Sequence, residues 1–147
     1  MYKTHTIGAA GEQIVIADLL LRGFNVSVPC GDTLTYDLLG ELNGEFVKFQ
    51  VKTATPAEDK IVVYPKRSQA IKGAERYYAS SDYDFLAVVN IASCEVAYLS
   101  FDEVNPSRVT LQLKEVESLS GHHKGNPPKL FRDYKELKGT KRLGQVG

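Results

Sequence analysis

The sequence predicts an α+β (mixed α/β) domain, a mixed central sheet flanked by helices. Three observations lead there. Apolar residues recur at helical spacing near the N-terminus, Asn43-Gly44 marks a tight hairpin, and residues 85–91 form a continuous apolar run. The chain has 147 residues, enough for one domain with a real core. It is 43% hydrophobic and 24% charged, ordinary values for a globular protein.

The elements follow in order. Thr6 caps a helix running from Ile7 to about Arg22, with Ile7, Ala10, Ile14, Ala17 and Leu21 at helical spacing. Gly23 closes it as the residue after the C-cap. Residues 24–28 read as a strand, stopped by Pro29-Cys30-Gly31-Asp32. Asn43-Gly44 suits a type I′ turn, which needs positive φ at both central positions. A two-residue turn there sets Leu42 opposite Glu45 and Asp37 opposite Gln50. Period-two alternation then gathers Tyr36, Leu38, Leu42, Val47, Phe49 and Val51 on one face, which belongs in the core. The other face holds Thr35, Asp37, Glu41, Lys48, Gln50 and Lys52. The turn alone sets this register, yet it sorts apolar from polar almost cleanly.

Beyond the hairpin, residues 60–64 form a strand closed by Pro65, and residues 66–77 a basic loop or short helix. The run at 85–91 fits a buried central strand. Residues 95–100 and 109–113 are further strands, Asn126-Pro127-Pro128 breaks the tail, and residues 131–137 form a short helix. There is no internal repeat. Residues 1–120 make the core and 121–147 a basic extension of the same domain.

Charge and cysteine usage narrow the function. The net charge is zero, but from Gly121 onward seven Lys/Arg face two acids, a surplus of +5 that leaves the first 120 residues at −5. A basic tail on an acidic body suits a polyanion partner, and equally a solvated tail. No stretch is long and apolar enough to cross a membrane, and no signal-peptide pattern opens the chain, so a cytoplasmic protein is expected. Cys30 and Cys94 lack zinc-like spacing and read as reduced, part-buried thiols.

Hydrolysing a phosphodiester with a divalent ion needs hard oxygen ligands, an activated water and a cation near the phosphate. Asp37 offers a carboxylate and Gln50, across the hairpin, an amide oxygen. Lys52 points to the same side, where its ammonium suits the attacking water or the transition-state charge. Glu12 adds a carboxylate from the helix, beside Gly11, whose small size permits a close approach. The plainer reading is a cross-strand charge pair of Asp37 and Lys52 on a wet sheet face, with Glu12 a first-turn helix acid.

An acid on one strand, then a ligand and a lysine two apart on the next, resembles the signature of the PD-(D/E)XK nuclease superfamily. Here it reads Tyr36-Asp37-Leu38 and Gln50-Val51-Lys52-Thr53, and Gly11-Glu12 is similar to the family's upstream glutamate. The similarity covers residues 6–55 well and 77–99 more loosely. Within the superfamily the chain resembles a small subgroup containing archaeal Holliday-junction resolvases and a cyanobacterial intron-encoded homing endonuclease. Gln50-Val51-Lys52-Thr53-Ala54 resembles the latter in particular. No proline directly precedes Asp37, and Gln50 stands where an acid is usual, lowering the site's negative charge by one.

The resemblance implies a restriction-endonuclease-like core. It also implies a Mg²⁺-dependent, site-specific DNA endonuclease with Glu12, Asp37, Gln50 and Lys52 catalytic, the first three holding the metal. Lys66, Arg67, Lys72, Arg76, Lys124 and Lys129 are the candidate phosphate contacts on double-stranded DNA. One site per small subunit does not readily cut two strands, so a homodimer or homotetramer is expected. Two rivals stand beside the homing enzyme: a structure-selective resolvase of four-way junctions, and a non-catalytic DNA-binding module, which Gln50 favours. His122-His123 has the spacing of neither a zinc site nor a helix-borne pair and reads as tail.

Overall fold

Helix α1 (Thr4–Leu21) opens the computed structural model, which describes residues 4–31, 34–66, 77–115 and 127–138. It begins before Thr6, which lies inside its first turn rather than capping it. Its end is as expected: Gly23 has φ +96°, Phe24 N–H donates to Leu19 O at 3.0 Å, and Gly23 N–H donates to Leu20 O at 3.0 Å. That is a Schellman closure, which satisfies carbonyls the helix would leave orphaned. The buried stripe is Gly11, Val15 and Leu19, not the series ending at Leu21, which is 89% exposed. Both series have helical spacing. Packing selects the one led by a glycine, because that face lies closest to the sheet.

Strands β1 (Asn25–Ser27), β2 (Leu38–Leu42), β3 (Glu45–Ala54), β5 (Phe85–Asn90) and β6 (Glu95–Ser100) form a five-stranded mixed sheet in the order β1-β2-β3-β5-β6. All pairs are antiparallel except the parallel β3–β5. The hairpin register is the one its turn dictates: Leu42 pairs with Glu45 and Leu38 with Phe49, and Asn43 and Gly44 both have positive φ. Strand β5 is buried along its whole length, as a central strand with covered faces must be.

The first face of this sheet carries α1. Leu38, Val47, Phe49, Val51, Phe85, Ala87, Val96 and Tyr98 meet Val15, Leu19 and Phe24 there. Phe49 is at the centre, 6.1 Å from Phe24 edge-on, 6.0 Å from Phe85 stacked and 6.0 Å from Tyr98 edge-on. Gly40 makes room for it, since a Cβ would fall 2.8 Å from Phe24 Cδ1 and 3.0 Å from Phe49 Cε2.

The second face is not the wet surface that alternation in the hairpin suggests. A three-stranded sheet covers it, in the order β4 (Lys60–Val63), β7 (Val109–Gln112) and β8 (Lys129–Leu130). Leu86, Val88, Ala97 and Leu99 pack there on Ile61, Val63, Val109 and Leu111. The sheet is therefore flanked by α1 on one side and a small sheet on the other. Tyr36 also belongs to this second cluster, against its expected place beside Leu38. The chain leaves the strand alternation before Leu38, which frees Tyr36 to turn over, with Lys48 Nζ 6.0 Å from its ring. Cys30 and Cys94 are free thiols, but exposed rather than part-buried. Phe131–Tyr134 is a 3₁₀ turn where a short helix was expected. Among the described residues, no helix is long and apolar enough to cross a membrane.

Two substitutions probe this packing. Gly40→Ala forces two rings apart and should cost about 1–3 kcal/mol in urea unfolding. Tyr98→Phe removes the hydroxyl that donates to Asp18 Oδ2 at 2.5 Å and should cost about 1 kcal/mol.

Candidate active site

The two arms of the hairpin differ in length. β2 begins at Leu38, whereas β3 runs to Ala54. Among the described residues, no strand pairs with Gln50–Ala54 on the β2 side. Backbone donors on that edge still need acceptors. Asp37 supplies one: its carboxylate Oδ2 accepts from Val51 N–H at 2.8 Å, while its own N–H donates to Phe49 O at 2.8 Å. Asp37 thus straddles Gln50, main chain on the residue before and side chain on the residue after. The expected juxtaposition of Asp37 and Gln50 is present, although the regular ladder stops one step short of it, at Leu38 with Phe49.

Gln50 is the unusual member. Its side chain is on a strand that is otherwise covered by apolar groups, and the residue is only 7% exposed. No hydrogen bond to its amide is formed among the described residues, although no fully enclosed polar atom goes unpaired. Lys52, half-buried on the same side of β3, likewise makes no ion pair or hydrogen bond among the described residues. Asp37 has one oxygen committed to Val51 and the other without a donor among the described residues. A carboxylate oxygen, an amide and an ammonium therefore gather at the open edge of β3 without satisfying one another by direct contact.

The electrostatics agree. Burial pushes the Asp37 carboxyl above its ordinary range, against the lowering effect of the Val51 hydrogen bond and of the Lys52 charge. Burial pulls the Lys52 ammonium below its ordinary range, against the raising effect of Asp37. Each group is desolvated more than its neighbour compensates. A divalent cation would offset this for Asp37 and would also satisfy the Gln50 oxygen, so the donor set fits a hard ion. The set is lean, however: among the described residues, no three His, Cys, Asp or Glu side chains cluster to hold a metal.

Glu12 is half-buried on α1. Its neighbour Gly11 touches β3 directly, since a Cβ on Gly11 would lie 1.8 Å from Thr53 Oγ1. The close approach expected of Gly11 is made, and it brings the backbone of Glu12 against the Lys52-Thr53 end of β3. Thr53 faces the helix and Lys52 faces away, so groups from the two faces can meet only across the open edge.

A chain of this length that is 32% identical over 105 residues to Protein 5.3 of Escherichia phage T7 has a recognisable relative, the match covering 71% of this chain and 86% of the phage protein. The family model described as PD-(D/E)XK endonuclease matches residues 2–132. The chain belongs to the PD-(D/E)XK endonuclease family. Among solved structures it is similar to a bacterial homing endonuclease, I-Ssp6803I, with a TM-score of 0.66 and 25% identity over 85% of this chain and 86% of that one. The PD-(D/E)XK protein described here is thus a nuclease, a phosphodiester hydrolase with a restriction-endonuclease-like α+β fold.

The other candidates are placed less tellingly. Lys66 holds its ammonium 5.4 Å from the Tyr77 ring. Lys129 donates to Glu103 O and lies 5.9 Å from the Tyr134 ring, so its charge is partly used at home. Arg132 pairs with Glu115 and Lys135 with Glu95, which ties the tail to the body. Arg67, Lys72, Arg76, Lys124, His122 and His123 lie outside the described residues. Asp84 escaped the sequence reading. Its carboxylate accepts from Lys48 N–H at 2.8 Å and its N–H donates to Lys48 O at 2.9 Å, anchoring β3 just before the site. Nothing in its local sequence signals that contact, which spans 36 residues.

The raised Asp37 carboxyl carries a sign. An acid whose pKa is higher in the folded chain than in the unfolded one destabilises the fold wherever it is ionised, and not at all below its ordinary pKa. Asp37→Asn, which can keep the Val51 bond, should therefore raise the thermal midpoint at neutral pH. The gap from wild type should close as pH falls through the carboxyl range, which differential scanning calorimetry measures.

Proposed function

We propose that this nuclease is a Mg²⁺-dependent, site-specific endonuclease of double-stranded DNA, a homing endonuclease acting as a homodimer or homotetramer. The observation that supports this reading is the set of polar groups at the open edge of β3, where β2 stops short. There the Gln50 amide, the second oxygen of Asp37 and the Lys52 ammonium form no hydrogen bond or ion pair among the described residues. A binding protein with no chemistry would have little reason to desolvate three polar groups and leave them unmatched.

In this reading Asp37, Gln50 and Glu12 hold the ion. Bound there, Mg²⁺ supplies Lewis-acid activation of the phosphate and acidifies a water. Lys52 positions the attacking water and offsets charge on the phosphorane-like transition state. Its ammonium is drawn toward neutrality by burial, which suits a group that exchanges a proton with water. Lys66, Arg67, Lys72, Arg76, Lys124 and Lys129 grip the DNA backbone, and binding weakens with salt by a log–log slope of about −0.9 for each contact. Two copies are needed because each site cuts one strand.

With Mg²⁺ and a large DNA library, wild type should generate ends that map to one long linear site. A preference for branched over linear DNA would identify a junction resolvase instead, and intact DNA a binding module. Asp37→Asn should abolish cutting while keeping DNA affinity, and Lys52→Ala should slow cleavage by about 10²–10³-fold. Gln50→Glu restores the missing charge and should lower the Mg²⁺ concentration for half-maximal cleavage. Normal cutting by Asp37→Asn would refute the assignment.

A further inference from the structure

The contact between Gly11 and Thr53 is tighter than core packing requires. A Cβ at position 11 would lie 1.8 Å from Thr53 Oγ1, 2.9 Å from Thr53 Cβ and 3.0 Å from Thr53 Cγ2. No flexible side-chain end accounts for this. The obstruction includes a β-branched carbon on the strand, which is stiff at χ1. By contrast Gly8, one turn earlier on the same helix, has open space where its Cβ would go. So the helix backbone comes down onto the Thr53 side chain at Gly11, and that contact is one residue from Glu12 and one from Lys52.

We infer that the Gly11–Thr53 contact is a positioning device that sets how far Glu12 stands from the ion-binding edge of β3. The inference rests on the metal-ligand role proposed for Glu12. Consecutive Cα atoms are about 3.8 Å apart, so Glu12 cannot retreat from the edge without Gly11 leaving Thr53. A metal ligand must sit within a few tenths of an ångström of its place, because Mg²⁺ demands near-ideal octahedral geometry at about 2.0–2.1 Å. The site has two carboxylates at most, and Gln50 brings no charge, so a misplaced Glu12 removes half the negative charge available to the ion. Further along α1 the helix is held to the sheet separately, by Tyr98 Oη donating to Asp18 and by the Arg22 guanidinium 5.1 Å from the Tyr98 ring centre. That second anchor keeps the helix on the sheet when the first is disturbed, which makes the disturbance a shift rather than unfolding.

The test is nicking of supercoiled plasmid DNA across a Mg²⁺ titration, below the thermal midpoint of every variant, with DNA affinity measured separately in EDTA. Gly11→Ala should raise the Mg²⁺ concentration for half-maximal cleavage by about tenfold or more and leave affinity in EDTA within about twofold. Adding Thr53→Gly removes the obstructing atoms and should bring the requirement back to that of Thr53→Gly alone. Tyr98→Phe, which loosens the other anchor, should lower the midpoint without moving the Mg²⁺ requirement. Thr53→Val crowds the same point more gently and should raise the requirement by a smaller factor, so it serves if Gly11→Ala does not fold. A Gly11→Ala or Thr53→Val protein that loses only thermal stability overturns the inference, as does a double variant that is not rescued. Glu12→Gln cutting like wild type would instead remove the role of Glu12 itself, and the positioning device with it.

Discussion

One backbone N–H, that of Val51, organises the site. β3 outruns β2, and the first edge donor past the end of their ladder is met by the Asp37 carboxylate instead of a strand carbonyl. A buried donor left unpaired would cost about 1–3 kcal/mol, so the bond is strongly held. It fixes which oxygen of Asp37 is occupied, which is available, and where along β3 the acid stands. Had β2 continued, a carbonyl would take that N–H, and the edge would close over Gln50.

What surrounds that edge turns a structural detail into chemistry. A helix covers one face of the sheet and a small sheet covers the other, so polar groups at the notch are in a poorly solvated place. There both members of the Asp37–Lys52 pair are pushed toward neutrality. On a wet surface the same two residues would be an ion pair of little consequence. Burying groups that do not satisfy each other costs stability at this point of the fold, a pattern consistent with the proposed ion site. The cations of the C-terminal segment show the contrast: Arg132 and Lys135 each face a carboxylate, and their charges are settled within the chain.

The hairpin was more legible in the sequence than the architecture around it, for physical reasons. Asn43-Gly44 permits one turn geometry, and the turn sets the register from Leu42–Glu45 to Leu38–Phe49. Gly11 announced a close approach because small residues in helices are costly unless something needs the space. Of the second sheet, strands β4 and β7 were legible, but not their pairing into a separate sheet. β8 has two residues, and its pairing with β7 depends on a chain return that no local pattern encodes. For the same reason alternation in one hairpin does not report what other strands lie over its outer face. Tyr36 was misplaced because alternation was extended past the residue where the strand begins. The helix face was misread because two stripes had equal spacing, and only contact with Thr53 distinguishes them.

The proposed chemistry depends on a divalent cation binding at the open edge of β3, between Asp37 and Gln50. Its most direct test is a crystal of the protein soaked in Mn²⁺ and measured for anomalous scattering. One strong peak is expected about 2.0–2.4 Å from the second oxygen of Asp37 and from the amide oxygen of Gln50. A map without a peak there, and with the Gln50 amide instead hydrogen-bonded to Asp37, would contradict it.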